Sequence, residues 1–210
     1  MTREHEISHL LHLGATSRKQ LLKATAIAGG LAAAGALAPG AIAGRSLVEA
    51  AATEGGDLAI LNYALTLEHF EDALYRTLLT TGLLKGKGLI YAKAFGAHEH
   101  AHVVALTATI QKLGGTPVTE QAHYNFPTLT TAAQVVQILI MVEDLGASAY
   151  LGAAPLVQNP AVLTAAVEIH TVEAQHATAW RMLGNVNAVP FAFAPAASMK
   201  EVLAAVTPFL

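Results

Sequence analysis

The stretch HEHAHVVAL, residues 98–106, sets Glu99 and His102 against a run of apolar residues, in what reads as the middle of a buried helix. An uncompensated carboxylate in such a place costs several kcal/mol, or shifts its pKa until it is neutral. A spacing of three puts Glu99 and His102 on one helical face, a turn apart. Whatever compensates them has to come from elsewhere in the chain.

The same pair recurs as Glu173-x-x-His176 in VEAQHATAW. Two more glutamates stand singly in apolar helical surroundings, Glu68 in LNYALTLEHFEDALY and Glu143 in ILIMVEDLGASAY. The order is therefore Glu, Glu-x-x-His, Glu, Glu-x-x-His. Taken alone, Glu-x-x-His is a weak signal: random placement of the glutamates and ten histidines in 210 residues gives about 0.6 matches. Four occur, and Glu6–His9 and Glu120–His123 read as incidental, in the leader and in a connection. Specificity has to come from how the other two pairs are placed.

Placement follows from the helices. Asp57 to Leu83 has no proline and carries Leu58, Leu61, Leu65, Leu67, Leu74 and Leu78 at helical spacing, before GLLKGKG breaks it. A second helix is expected over Leu89–Leu113, stopped by Gly114-Gly115. TPVTEQAHYNFPTLT then makes a longer connection with two prolines. A third helix is expected from Thr131 to Val157, before Asn159-Pro160, and a fourth from Ala161 to Leu183, before Gly184-Asn185. After an irregular stretch, Met199–Val206 reads as a short final helix. Two helical hairpins joined by one long crossover describe an all-α, up-down four-helix bundle.

In that bundle the first hairpin turns near residue 84 or 85, with Glu68 and Glu99 about 15 or 16 residues to either side, roughly 22–24 Å up their helices at about 1.5 Å per residue. The second turns near 158 or 159, with Glu143 and Glu173 about 15 residues to either side. All four glutamates can meet at one level. Tyr75 follows Glu68 by seven residues and Tyr150 follows Glu143 by seven, so each tyrosine shares its glutamate's face and the halves repeat with polar residues in register.

Four carboxylates in one core would repel one another and lose hydration. Two divalent cations would balance them, with two neutral imidazoles completing the coordination. Oxygen-rich ligands with one histidine per metal suit iron or manganese better than copper or zinc.

Composition excludes other classes. The chain is 53% hydrophobic and 13% charged, which permits a large core and argues against disorder. A net charge of -3 with no basic stripe argues against nucleic acid as a partner. The absence of cysteine removes disulfides, thiolate metal sites and cysteine nucleophiles. Apolar surface leaves a homodimer open.

Residues 1–45 read differently from the rest. Arg18 and Lys19 precede an uncharged Ala/Gly-rich stretch over 24–43, and Ala41-Ile42-Ala43 has the small-x-small pattern of a cleavage site. TSRKQLLK resembles the twin-arginine export signal, with Lys19 in the second basic position. The reading is a signal peptide over 1–45, with a candidate cleavage site after Ala43, and a periplasmic or extracellular domain over 55–210, with no stable membrane span once the signal is removed. A membrane anchor is the competing reading, and the Ala/Gly content makes it a poor one despite a length of about 20 residues.

The Glu, Glu-x-x-His, Glu, Glu-x-x-His constellation over about 55–184 resembles the ferritin-like di-metal carboxylate family. PFAFAPAASMKEVLAAVTPFL and YNFPTL are similar to a bacterial exported branch of it. The resemblance implies Glu68, Glu99, His102, Glu143, Glu173 and His176 as ligands of two iron or manganese ions, with Glu99 and Glu143, or their partners, bridging. It implies Tyr75 and Tyr150 as donors behind the ligands. It also implies reaction with oxygen or peroxide, oxidation of ferrous iron, or no turnover, within a role in oxidative stress protection. A non-catalytic helical bundle with a vestigial or stabilising site is the alternative.

The remaining polar residues are expected to stand apart. His98 and His100 flank Glu99 and should point elsewhere, and His69 should face the surface or an interface. Glu71 is expected to be solvated rather than a spare ligand, Glu168 solvated, and Trp180 part of the core.

Overall fold

The computed structural model describes residues 56–210, so the expected export leader lies outside the described residues. Among the described residues the structure is all-helical. Helix α1 spans Gly56–Thr80, α2 Gly86–Lys112, α3 Ala132–Ala153 and α4 Pro160–Leu183. A 3-10 turn, Ala154–Leu156, extends α3; a short helix α5, Met199–Val206, and a 3-10 turn, Thr207–Phe209, close the chain.

Local chemistry sets these ends. Helix α1 stops three residues short of the expected Leu83, and Gly82 beyond it takes φ +67. Gly86, likewise left-handed at φ +50, opens α2 three residues earlier than the apolar pattern indicated. At the far end of α2, Gly114 at φ +79 lets Gly115 N–H reach back to Ile110 O at 2.9 Å, closing the helix. Helix α3 starts with a capping box between Thr131 and Gln134, and its last turn tightens to 3-10 where Pro155 follows. Asn159 caps α4 ahead of Pro160, and Ser198 with Glu201 forms a second capping box on α5.

Helices α1 and α2 pack as one hairpin and α3 and α4 as the other. The crossover between them is strapped along α1. Asn62 Oδ1 accepts from Val118 N at 2.8 Å, Arg76 pairs with Glu120, and Tyr124 and Phe126 set their rings against Phe70. Phe209 joins that aromatic group, and its carbonyl accepts from Asn125 N at 2.7 Å, so the C-terminal turn locks the crossover down. Helix α5 feeds Val202, Leu203 and Val206 into the main core beside Leu139 and Val142 of α3.

Helix α1 is buried all round at its middle, from Phe70 to Tyr75, whereas α2 buries only a stripe. On α2 the buried positions are Gly88, Ala92, Glu99, Leu106 and Ile110, a narrow seam with the glutamate at its centre. Helix α3 is apolar and long enough, with its 3-10 extension, to span a membrane by composition alone, but it carries buried Glu143 and packs along α4 as a core helix.

Candidate metal centre

The seams of the four helices place Glu68, Glu99, Glu143 and Glu173 at one level, each with at most 1% of its surface exposed. Two sets of potential metal-ligating atoms result. One is Glu68, Glu99, His102 and Glu173; the other is Glu99, Glu143, Glu173 and His176; within each, the donor atoms lie within 4.8 Å of one another. Glu99 and Glu173, the glutamates of the two Glu-x-x-His pairs, belong to both sets. Glu143 belongs to one only, so of the bridging pair named from the sequence it is Glu99, with Glu173, that has the shared position.

Both histidines turn Nδ1 inward. His102 Nδ1 lies 2.9 Å from Glu99 Oε2 and 3.1 Å from Glu68 Oε2. His176 Nδ1 lies 3.1 Å from Glu143 Oε2, and 3.0 Å from Glu99 Oε1 without hydrogen-bond geometry. Behind the carboxylates stand two phenols: Tyr150 donates to Glu68 and Tyr75 to Glu143, while Trp180 Nε1–H donates to the Tyr75 hydroxyl at 2.7 Å.

Burial pushes the Glu68 and Glu143 carboxyls up to about 7, even against the hydrogen bonds from His102 and His176 that favour their charged forms. Glu173 rises well above the carboxylate range because it is buried among Glu71, Glu99, Glu143 and Glu68. Glu99 goes the other way. Burial opposes its ionisation, but facing both imidazoles it is pulled down to about 2. Burial likewise opposes the charged histidines, yet their carboxylate partners raise His102 to about 10 and His176 to about 9. Protons thus hold this cluster together in the way cations would.

The donor set fits metal ions on a further observation. Both Glu173 oxygens are buried without any hydrogen-bond partner. Natural proteins rarely leave such groups orphaned, and a carboxylate oxygen aimed into a cluster of other donors is satisfied by a cation.

The sequence profile of a family described as a ferritin-like domain matches residues 56–185, which takes in all four long helices and every residue of the cluster. The chain belongs to the ferritin-like domain family. A solved structure, a conserved hypothetical protein, rv2844, from Mycobacterium tuberculosis, superposes with a TM-score of 0.56 at 22% identity, over 62% of this chain and 99% of that one, and shares the fold. No match was found among curated proteins.

Around this ferritin-like centre two sequence expectations need correction. Glu71, expected in solvent, is 4% exposed. It follows Glu68 by three and so turns the same way, into the core; Gly146 on α3 leaves the space for it, since a Cβ there would sit 2.9 Å from Glu71 Oε1. Burial first, then the charges of Glu68, Glu99 and Glu143, push its pKa well up. His98, expected to point away, places Nδ1 2.9 Å from His176 Nε2 and stacks on that ring with centroids 5.1 Å apart. It lies four residues ahead of His102, close enough in angle to reach across to α4, a signal that the spacing contained. Phe95 covers the same imidazole at 4.0 Å.

The others stand as expected. His100 is exposed beside Asp72, Glu168 is exposed, and His69 reaches Val118 O in the crossover. Trp180 is fully buried. His123 is exposed and Glu120 pairs with Arg76, while Glu6 and His9 lie outside the described residues.

Proposed function

We propose that the centre binds two iron or manganese ions through Glu68, Glu99, His102, Glu143, Glu173 and His176, and that the protein reacts with oxygen or peroxide, or oxidises ferrous iron, in protection against oxidative stress. The observation that carries this reading is the pair of overlapping ligand sets that share Glu99 and Glu173, with both Glu173 oxygens buried and unpartnered. Four carboxylates and two neutral imidazoles balance two divalent cations, and that donor mixture suits iron or manganese. When bound, such ions supply Lewis acidity and electron transfer toward oxygen or peroxide.

The chain's own residues have definable parts in that chemistry. Glu99 and Glu173 hold the centre of the site from the two hairpins. Tyr150 and Tyr75 orient Glu68 and Glu143 by donating to one oxygen of each, which leaves the other oxygen for ligation. With Nδ1 of His176 committed inward, its Nε2–H is free to donate to His98, fixing ring and tautomer. Phe95 and Trp180 exclude water on that side. His102, with 11% of its side chain exposed against 2% for His176, stands at the more open edge.

Export by a twin-arginine-type signal belongs to the same proposal and rests on TSRKQLLK, the uncharged stretch after it and Ala41-Ile42-Ala43. N-terminal sequencing of the protein from a producing cell is expected to begin at Gly44; a mature chain beginning at Met1 would sink the export reading.

The central test is elemental analysis of protein purified without chelators. About two iron or manganese ions per chain are expected, together with consumption of peroxide or ferrous iron, and both should be lost in Glu99→Ala with His102→Ala. A chain that carries no metal refutes the proposal. Two bound metals without turnover would leave the non-catalytic reading, a bundle that its metals stabilise.

A further inference from the structure

We infer that Glu71 is a seventh metal-ligating side chain, serving the Glu143–His176 position and making the two metal positions unequal. The inference rests on the di-metal reading above. Glu71 is a buried carboxylate on the face of α1 that carries Glu68, one turn on. In the repeat that relates Glu68 and Tyr75 to Glu143 and Tyr150, its counterpart on α3 is Gly146. One half of the site therefore offers an extra carboxylate where the other has no side chain.

The space left by that glycine is where the carboxylates converge. A Cβ on Gly146 would sit 2.9 Å from Glu71 Oε1 and 2.4 Å from Glu173 Oε2, so both oxygens close on the same point. Glu173 Oε2 is fully buried and has no hydrogen-bond partner, an orphaned acceptor aimed into the gap. Its sister Oε1 lies 3.6 Å from His102 Nδ1, on the Glu68–His102 side. Glu173 belongs to both ligand sets, so with Oε1 toward His102 its Oε2, and Glu71 across the same gap, would serve the position held by Glu143 and His176. The result is one position with an additional anionic ligand, which binds a hard divalent cation more tightly and fills first.

Co2+ is the probe, added to metal-free full-length protein and followed by visible absorption and by calorimetry. The wild-type protein is expected to bind it in two steps of different affinity. Glu71→Gln keeps the size and removes the charge; it should weaken the tighter step by about tenfold or more, change the absorption of that step, and leave the weaker step in place. Unchanged affinities and spectrum, or both steps weakened alike, would overturn the inference while leaving the di-metal reading intact. Failure of the wild-type chain to bind Co2+ at all would remove that reading, and this inference with it.

Discussion

Tyr150 on α3 donates its phenolic proton to Glu68 on α1, not to Glu143, the glutamate of its own helix. Tyr75 on α1 makes the reciprocal bond to Glu143 on α3. Seven residues forward on one helix correspond to seven back on the other, as in antiparallel neighbours, and each phenol thereby clamps the opposite hairpin. The two halves of the centre cannot separate without breaking both bonds.

Tyr150→Phe leaves one buried oxygen of Glu68 without its donor. The metal-free protein is expected to lose about 1–3 kcal/mol in urea unfolding. Tyr75→Phe should lose more, because it also strips the Trp180 indole N–H of its acceptor. Equal losses would contradict the contribution of Trp180, and no loss in either variant would show that the phenols do not clamp the hairpins.

His98 and His100 flank Glu99 and have opposite fates. Replacing His98 with alanine removes the group that holds His176 Nε2, and metal affinity should fall about 10- to 100-fold. His100→Ala removes an exposed side chain 3.5 Å from Asp72 and should leave affinity unchanged. Competition with a chromophoric chelator measures both.

Metal binding should strengthen as pH rises from 6 to 8. Glu68 and Glu143 at about 7, and His102 and His176 at about 10 and 9, hold protons in the metal-free centre that a cation must displace. At lower pH more of those protons are in place, so apparent affinity falls, by up to about tenfold per pH unit for each proton released. Calorimetry in buffers of different ionisation enthalpy counts the protons; binding that releases none, with affinity flat in pH, would contradict this account.

Gly152 tests packing remote from the metals. A Cβ there would lie 1.9 Å from the Ala197 carbonyl oxygen, where the C-terminal segment crosses α3 and Ala197 N bonds Ser148 O. Gly152→Ala should destabilise the protein by about 1–3 kcal/mol through displacement of that segment. Metal stoichiometry should stay as it is, since Gly152, Ser148 and Ala197 belong to neither ligand set.

The glutamates and histidines of the cluster were legible in the sequence because helices of this length have a fixed rise. Counting from each turn places Glu68, Glu99, Glu143 and Glu173 at one height before any contact is known. The bundle was legible for the same reason, together with Gly114 and Asn159-Pro160 as breaks. Helix ends were less so: α1 and α2 end or begin about three residues from the apolar pattern, because Gly82 and Gly86 take left-handed φ that hydrophobic spacing does not encode.

By itself, then, the sequence determined four helices, their order, and the level at which carboxylates and imidazoles gather. Periodicity relates a side chain only to its own helix axis. Which neighbour it meets depends on how the hairpins are turned against each other, and that was decided by tertiary structure. Packing alone crossed the tyrosines between halves, gave Glu99 and Glu173 rather than Glu143 the shared positions, and brought His98 onto His176. It also buried Glu71, because Gly146 on the facing helix leaves the volume that the carboxylate fills.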